Sequence, residues 1–386
     1  MSENLTFFNG ERLKSARLFN KMTISELAEN VAVSKQAISQ YETNKSEPKL
    51  EVLLKLISAL GFPREYFYQS DKKKMAFGDT YFRSLAATSN KERMAQIERV
   101  RLFANIVNTI GEYIEFPSLS LYELKDSEEI DVEALARNVR QSWGIPENQP
   151  IHNIIDEMER HGIIVTDVFT DSAKIDAYSQ VMQIEKTPMA IVILGTDKEN
   201  AFRRNFSAAH ELGHILLDDY FNVNDLSKLE YKEMEDTMHR FAGALLIPRE
   251  AYTNDLMTTS KVDLNLYIQL KRKYHVSAAA LIVRAKNLDI ITQNQYQYLM
   301  KQLSQKGYRT AEPFDKETPL IKPRYIKQAM KMIIEEDGVT GSEFLNTLQG
   351  NNVTLSSGLV ENILNLPKGY LNQNDDEKEV ISLQRK

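Results

Sequence analysis

A five-residue run, H-E-L-G-H at His210 to His214, lies inside the apolar segment F-S-A-A-H-E-L-G-H-I-L-L and constrains this chain more than any other feature. Apolar residues at helical spacing on both sides predict a buried helix. Residues four apart share one face of a helix, so His210 and His214 point the same way and can offer two imidazole nitrogens to one Zn²⁺. Glu211 is rotated off that pair by one residue, where a carboxylate can take a proton from water without being a ligand. Two histidines leave zinc short of protein ligands, so a second element must close on this face. The chain has no cysteine, which excludes disulfides and thiolate ligands and leaves histidine and carboxylate donors.

The segment E-M-E-D-T-M-H-R-F-A-G-A-L-L-I-P, Glu233 to Pro248, predicts a helix that ends at proline. Its apolar face carries Met234, Met238, Phe241, Ala242, Leu245 and Leu246. Glu235 falls on that side, three before Met238 and seven before Ala242, while Glu233 and Asp236 face elsewhere. A carboxylate aimed into a core is costly unless it is paired or binds a metal, which makes Glu235 the candidate third ligand. His239, four residues on, is its rival, or a donor beside the metal that steadies the transition state. Arg203, Arg204 and Tyr220 are further candidates for that donor, and His152, His161 and His275 read as ordinary surface or core histidines. Gly213 in mid-helix costs about 1 kcal/mol against alanine, which predicts close approach by a neighbouring element.

At 386 residues the chain is long enough for two or three domains, and 42% hydrophobic with 26% charged residues describes a globular protein, neither disordered nor fibrous. The start M-S-E-N-L-T-F-F lacks a signal core, and the longest apolar run, Met189 to Gly195, reads as a buried strand. A cytoplasmic protein without membrane attachment is expected. A net charge of −6 gives no global pull toward nucleic acid, so any such binding rests on a local patch.

The candidate for such binding lies near the N-terminus. Apolar residues from Leu13 to Leu60 fall on helical spacings broken by short polar joints, with a capping box at Thr23 and Glu26 and a second cap at Ser34. Read as a helix-turn-helix, its second helix is Ser34 to Asn44, with Ala37, Ile38 and Tyr41 inward. Ser34, Lys35, Gln36, Ser39 and Gln40 are then candidates for the DNA-facing side, and Arg17, Lys21 and Lys45 for phosphate contacts. Residues 1–70 hold nine Lys/Arg and eight Asp/Glu, a net of 9 − 8 = +1, so a homodimer on paired half-sites of a double-stranded operator is the expected binding form.

Through L-A-E-N-V-A-V-S-K-Q-A-I-S-Q-Y-E this block resembles the lambda-repressor-like (XRE) DNA-binding family, although Ile24 stands where that family usually has a phosphate-holding glutamine. The pieces I-I-D-E-M-E-R-H-G-I-I-V, D-A-Y-S, R-R-N-F-S-A-A-H-E-L-G-H-I-L-L and R-F-A-G-A-L-L-I-P resemble the ImmA/IrrE-type metallopeptidases, gluzincin-like enzymes with a downstream glutamate. The resemblance places that glutamate at Glu235, with Thr237, Met238 and His239 where the family tends to have Glu-Ala-Asn. It implies a regulatory zinc peptidase acting on a repressor, or an XRE-type regulator whose zincin-like domain binds or senses a partner without cutting. The expected architecture is multidomain and mainly α with an α+β zincin-like core. Residues 1–70 would be an all-α helix-turn-helix domain, 71–150 a linker and helical region, 151–312 the peptidase domain and 313–386 a helical C-terminal region with a polar tail.

Overall fold

The computed structural model describes residues 7–69, 75–77, 89–124, 130–168, 177–184, 187–196, 200–218, 220–221, 226–257 and 260–372. The expected linker at Asp71 to Lys74 and most of the polar tail lie outside them. The chain forms two compact units, and they cut across the four segments expected from sequence. One gathers residues 1–75, 86–116 and 325–386; the other gathers 76–85 and 117–324.

In the first unit, α1 (Gly10–Phe19), α2 (Ile24–Asn30), α3 (Lys35–Glu42) and α4 (Leu50–Leu60) are followed by a 3₁₀ turn at Arg64–Tyr68. Each start has a local cause. Asn9, Thr23 and Ser34 cap α1, α2 and α3 by accepting backbone N–H bonds, and Thr23 with Glu26 completes the capping box. Gly61 ends α4 in the left-handed region at φ +72. Gly10 has a packing reason instead, because a β-carbon there would lie 2.1 Å from the Tyr41 carbonyl oxygen. The start of α1 thereby sits directly on the end of α3.

This bundle does not stop near residue 70. The long helix α5 (Asn90–Ile110) packs on α1 and also against the C-terminal helices. Ser15 Oγ bonds Glu98, and Lys91 Nζ bonds Glu26 Oε1 at 2.7 Å. Arg12 donates to the Asn352 carbonyl at 3.0 Å, while Tyr113 and Thr347 hydroxyls meet at 2.6 Å. The C-terminal helices are therefore part of the core that carries the helix-turn-helix, where the sequence suggested a separate region.

The second unit contains a sheet of order β1-β3-β4-β2: β1 (Met75–Phe77), β2 (Ile164–Val168), β3 (Ala177–Ile184) and β4 (Thr187–Gly195). β3 runs antiparallel to β4 with Ser179 opposite Val192, and β2 runs parallel to β4. Helices α6 (Val132–Ser142), α7 (Ile154–Arg160), α8 (Ala201–Leu216) and α9 (Lys228–Leu246) surround it. They are followed by α10 (Arg249–Met257), α11 (Leu264–Tyr274), α12 (Ala278–Asn287) and α13 (Gln293–Gln305). The predicted strands and the H-E-L-G-H helix are all present in this α+β core. Among the described residues no helix is long and apolar enough to cross a membrane.

Candidate functional site

Two helices build the site. α8 is capped by Asn200 and buries Ala208, Ala209, Leu212 and Ile215, which fixes the direction of its histidine face. α9 begins with a capping box at Ser227 and Glu230 and buries Met234, Met238, Phe241 and Leu245. They meet closely at Gly213, where a β-carbon would stand 3.0 Å from both Met238 Sδ and Phe241 Cδ1. The mid-helix glycine thus has the packing cause expected of it, and it lets the Glu235 carboxylate reach the histidines.

His214 Nε2 lies 3.2 Å from His210 Nε2. Glu235 completes a triangle, with Oε2 3.3 Å from His210 Nε2 and Oε1 3.5 Å from His214 Nε2. Zinc bonds of ~2.0–2.1 Å in tetrahedral geometry place neighbouring donors ~3.3 Å apart. The two imidazole nitrogens stand at about that spacing and Glu235 turns one oxygen to each of them, so this donor set suits a zinc ion. Glu211 lies beside the triangle, 5% exposed, and accepts a 2.7 Å hydrogen bond from Ser179 Oγ on β3.

The electrostatics agree with the geometry. Burial, and then the charge on His210, push His214 down to about 3, which keeps its imidazole neutral with a lone pair to donate. Burial disfavours charge on Glu235, but the His210 hydrogen bond and the nearby His214 outweigh it and hold the carboxyl down to about 2. Burial likewise opposes protonation of His210, yet Glu235 and Glu211 together raise it. His210 and Glu235 thus favour each other's charged forms, and a divalent cation can supply the positive charge in place of the proton. Glu211 is raised by burial, against the pull of His210 and the Ser179 hydroxyl, the direction that makes a carboxylate a better proton acceptor.

His239 follows Glu235 by one turn, and its ring centroid lies 4.4 Å from that of His210. Beside it opens a cleft of about 910 Å³, walled in part by Tyr220, Phe221, Leu226, Met234 and Val283, with Glu233, Asp236, Arg240 and Lys286 among its charged lining. Tyr220 lines this cleft together with His239, whereas Arg204 is not available as an oxyanion donor. It is 5% exposed, and its Nη2 pairs with Asp167 Oδ2 at 3.3 Å. Arg203 is exposed. The remaining histidines have other surroundings: His152 Nε2 meets the Lys273 carbonyl at 2.9 Å, and His161 stacks on Trp143. Asn205 donates to the backbone carbonyl of His275. Ser179 and the Tyr231 hydroxyl, which donates to Glu235, were not singled out from the sequence. For Ser179 the only signal was the D-A-Y-S piece itself.

At the helix-turn-helix, Lys35, Gln36, Ser39 and Lys45 are exposed and Gln40 is half-buried, while Ile38 is fully buried. Ser34 is exposed, but its hydroxyl oxygen is used to cap α3 at Ala37 N–H. Lys21 is half-buried in the turn after α1, in the left-handed region at φ +53. Arg17 corrects the sequence reading. It is 7% exposed, and its Nε and Nη2 bind both Glu42 oxygens at 2.5 and 2.9 Å. Its Nη1 donates to the Met22 carbonyl. With its donors so engaged, Arg17 ties α1 to α3 and is not a phosphate contact.

Comparison with known families agrees on both parts of the chain. Residues 158–286 match the peptidase M78 family model, described as an IrrE N-terminal-like domain, and residues 13–67 match a helix-turn-helix model. No curated protein matches the chain. The chain accordingly unites an XRE-type helix-turn-helix, a DNA-binding regulator's domain, with an IrrE N-terminal-like, metallopeptidase-like domain.

Proposed function

We propose that this protein is a DNA-binding regulatory zinc metallopeptidase that cleaves a repressor or related regulator to control transcription. The observation that carries this reading is the triangle of His210, His214 and Glu235 with the buried Glu211 carboxylate beside it. His210, His214 and Glu235 would hold the ion. Bound Zn²⁺ supplies Lewis-acid polarisation of the scissile carbonyl and acidifies water at the site. Glu211 takes a proton from the attacking water and returns it to the leaving amine as the carbon–nitrogen bond breaks. Ser179 fixes the direction of the Glu211 carboxylate, and the apolar wall of the cleft offers a seat for substrate side chains. A peptidase of broad activity would damage its host, so a narrow substrate range and a triggering signal are part of the proposal.

The helix-turn-helix supports a regulator as target, since it brings the peptidase to operators where repressors sit. In this reading the domain dimerises on a two-fold operator, Gln36 and Gln40 read base edges, and Lys45 holds a phosphate. Incubation with XRE-type repressors from the same host tests the proposal. Wild type should release discrete fragments under an inducing stress, and Glu211→Gln should release none. Equal transcriptional control by both forms, with no cleavage, would favour a non-proteolytic regulator instead.

A further inference from the structure

A further histidine, His239, stands beside the metal face, within reach of His210 and Glu235. Glu235 and His239 stand one turn apart on α9, opposite His210 and His214 one turn apart on α8. His210, Glu235 and His239 each offer a donor atom within 4.8 Å of the others. The orientation of the His239 ring matters as much as its distance. Its Nδ1 lies 2.8 Å from the Glu235 backbone carbonyl oxygen, which can only accept, so the neutral ring carries its proton on Nδ1 and its lone pair on Nε2. A histidine whose Nδ1–H is tied to a carbonyl is the form that ligates zinc through Nε2.

A catalytic zinc site has three protein ligands and one open position, whereas four protein ligands make a closed site. We propose that His239 supplies the fourth protein ligand, so that the resting metal centre is closed and opens only when His239 leaves it. This rests on the zinc reading of His210, His214 and Glu235. The ring is suited to such a departure: the residue is exposed and borders the cleft where a substrate would enter. A ligand that yields its place to substrate gives the restricted access that a cytoplasmic peptidase needs, without any additional domain.

Full-length wild type, His239→Ala and His239→Asn, each loaded with Zn²⁺ or Co²⁺, test the proposal by metal binding alone. Chelator competition should show one ion per chain in all three, held at least about tenfold more weakly by both variants. The visible spectrum of the Co²⁺ form should change on loss of His239, and acetohydroxamate, a small bidentate zinc ligand, should bind the variants more tightly than wild type. Identical metal affinity and an unchanged Co²⁺ spectrum in both variants would overturn the fourth-ligand assignment and leave the three-ligand site standing. Failure of wild type to take up either ion would overturn both.

Discussion

Ser179, near the start of β3, donates a hydrogen bond from its hydroxyl to the Glu211 carboxylate across 2.7 Å, joining the sheet to the helix that carries H-E-L-G-H. Both residues are at most 5% exposed, so bulk water competes little for this bond. Ser179→Ala should leave zinc content unchanged and lower kcat roughly tenfold, with KM little altered, because the carboxylate loses its aim. Ser179→Thr should recover most of the loss. Steady-state kinetics on the cleaved repressor check this, and an unaltered kcat in Ser179→Ala would remove Ser179 from the account.

Gly213 faces Met238 and Phe241 at 3.0 Å from where a β-carbon would stand. A larger residue must push α9 from α8 and draw Glu235 away from the histidines. Gly213→Val should lower stability by about 1–3 kcal/mol, as overpacking does, and weaken zinc binding. Thermal unfolding with and without zinc measures both; a variant with wild-type zinc affinity would show that this contact does not set the site.

Arg17 and Lys45 should behave oppositely. Arg17→Ala leaves Glu42 buried without its partner and should cost about 3–5 kcal/mol, read as a fall in the unfolding midpoint of the helix-turn-helix unit. Lys45→Ala should leave stability unchanged, weaken binding to all DNA sequences alike and reduce the slope of log K against log salt by about 1. If Arg17→Ala folds with wild-type stability but loses DNA, Arg17 is a phosphate contact and not a tie between α1 and α3.

Glu133 of α6 gives a pH dependence. Burial works to raise its pKa, but the bonds from Arg284 and the charge of Arg249 outweigh it, so the folded pKa is lowered. A lowered folded pKa contributes stability that is present above the unfolded carboxylate pKa and is lost as pH falls through the folded value. The peptidase-like unit should therefore lose stability in acid below the usual carboxylate range. Glu133→Gln should be less stable than wild type at neutral pH, with the difference shrinking as pH falls. A difference constant with pH would mean that the Arg284 pair makes no ionic contribution.

Much of this architecture was legible because it is local. Periodicity and caps located α2, α3, α8 and α9, and the inward position of Glu235 among apolar residues indicated where it would point. What escaped depends on partners distant in sequence. Arg17 looked like a surface cation because Glu42 lies 25 residues away, and Ser179 gained meaning only when β3 met Glu211, 32 residues on. The division into units escaped for the same reason. Nothing local to α5 or the C-terminal helices says that they complete the core around α1, and pairs such as Arg12 with Asn352, 340 residues apart, carry no local signal. His239 was noticed as a rival to Glu235, whereas side by side on one face both can serve.

A metal ion held between α8 and α9 is tested most directly by elemental analysis of protein purified without chelator. Wild type and Glu211→Gln should each carry one zinc per chain, since Glu211 is a base and not a ligand, while the double variant His210→Ala/His214→Ala should carry almost none, because at most two donors remain. Wild-type protein that is folded yet free of any transition metal, and that takes up none when zinc is supplied, would contradict the account.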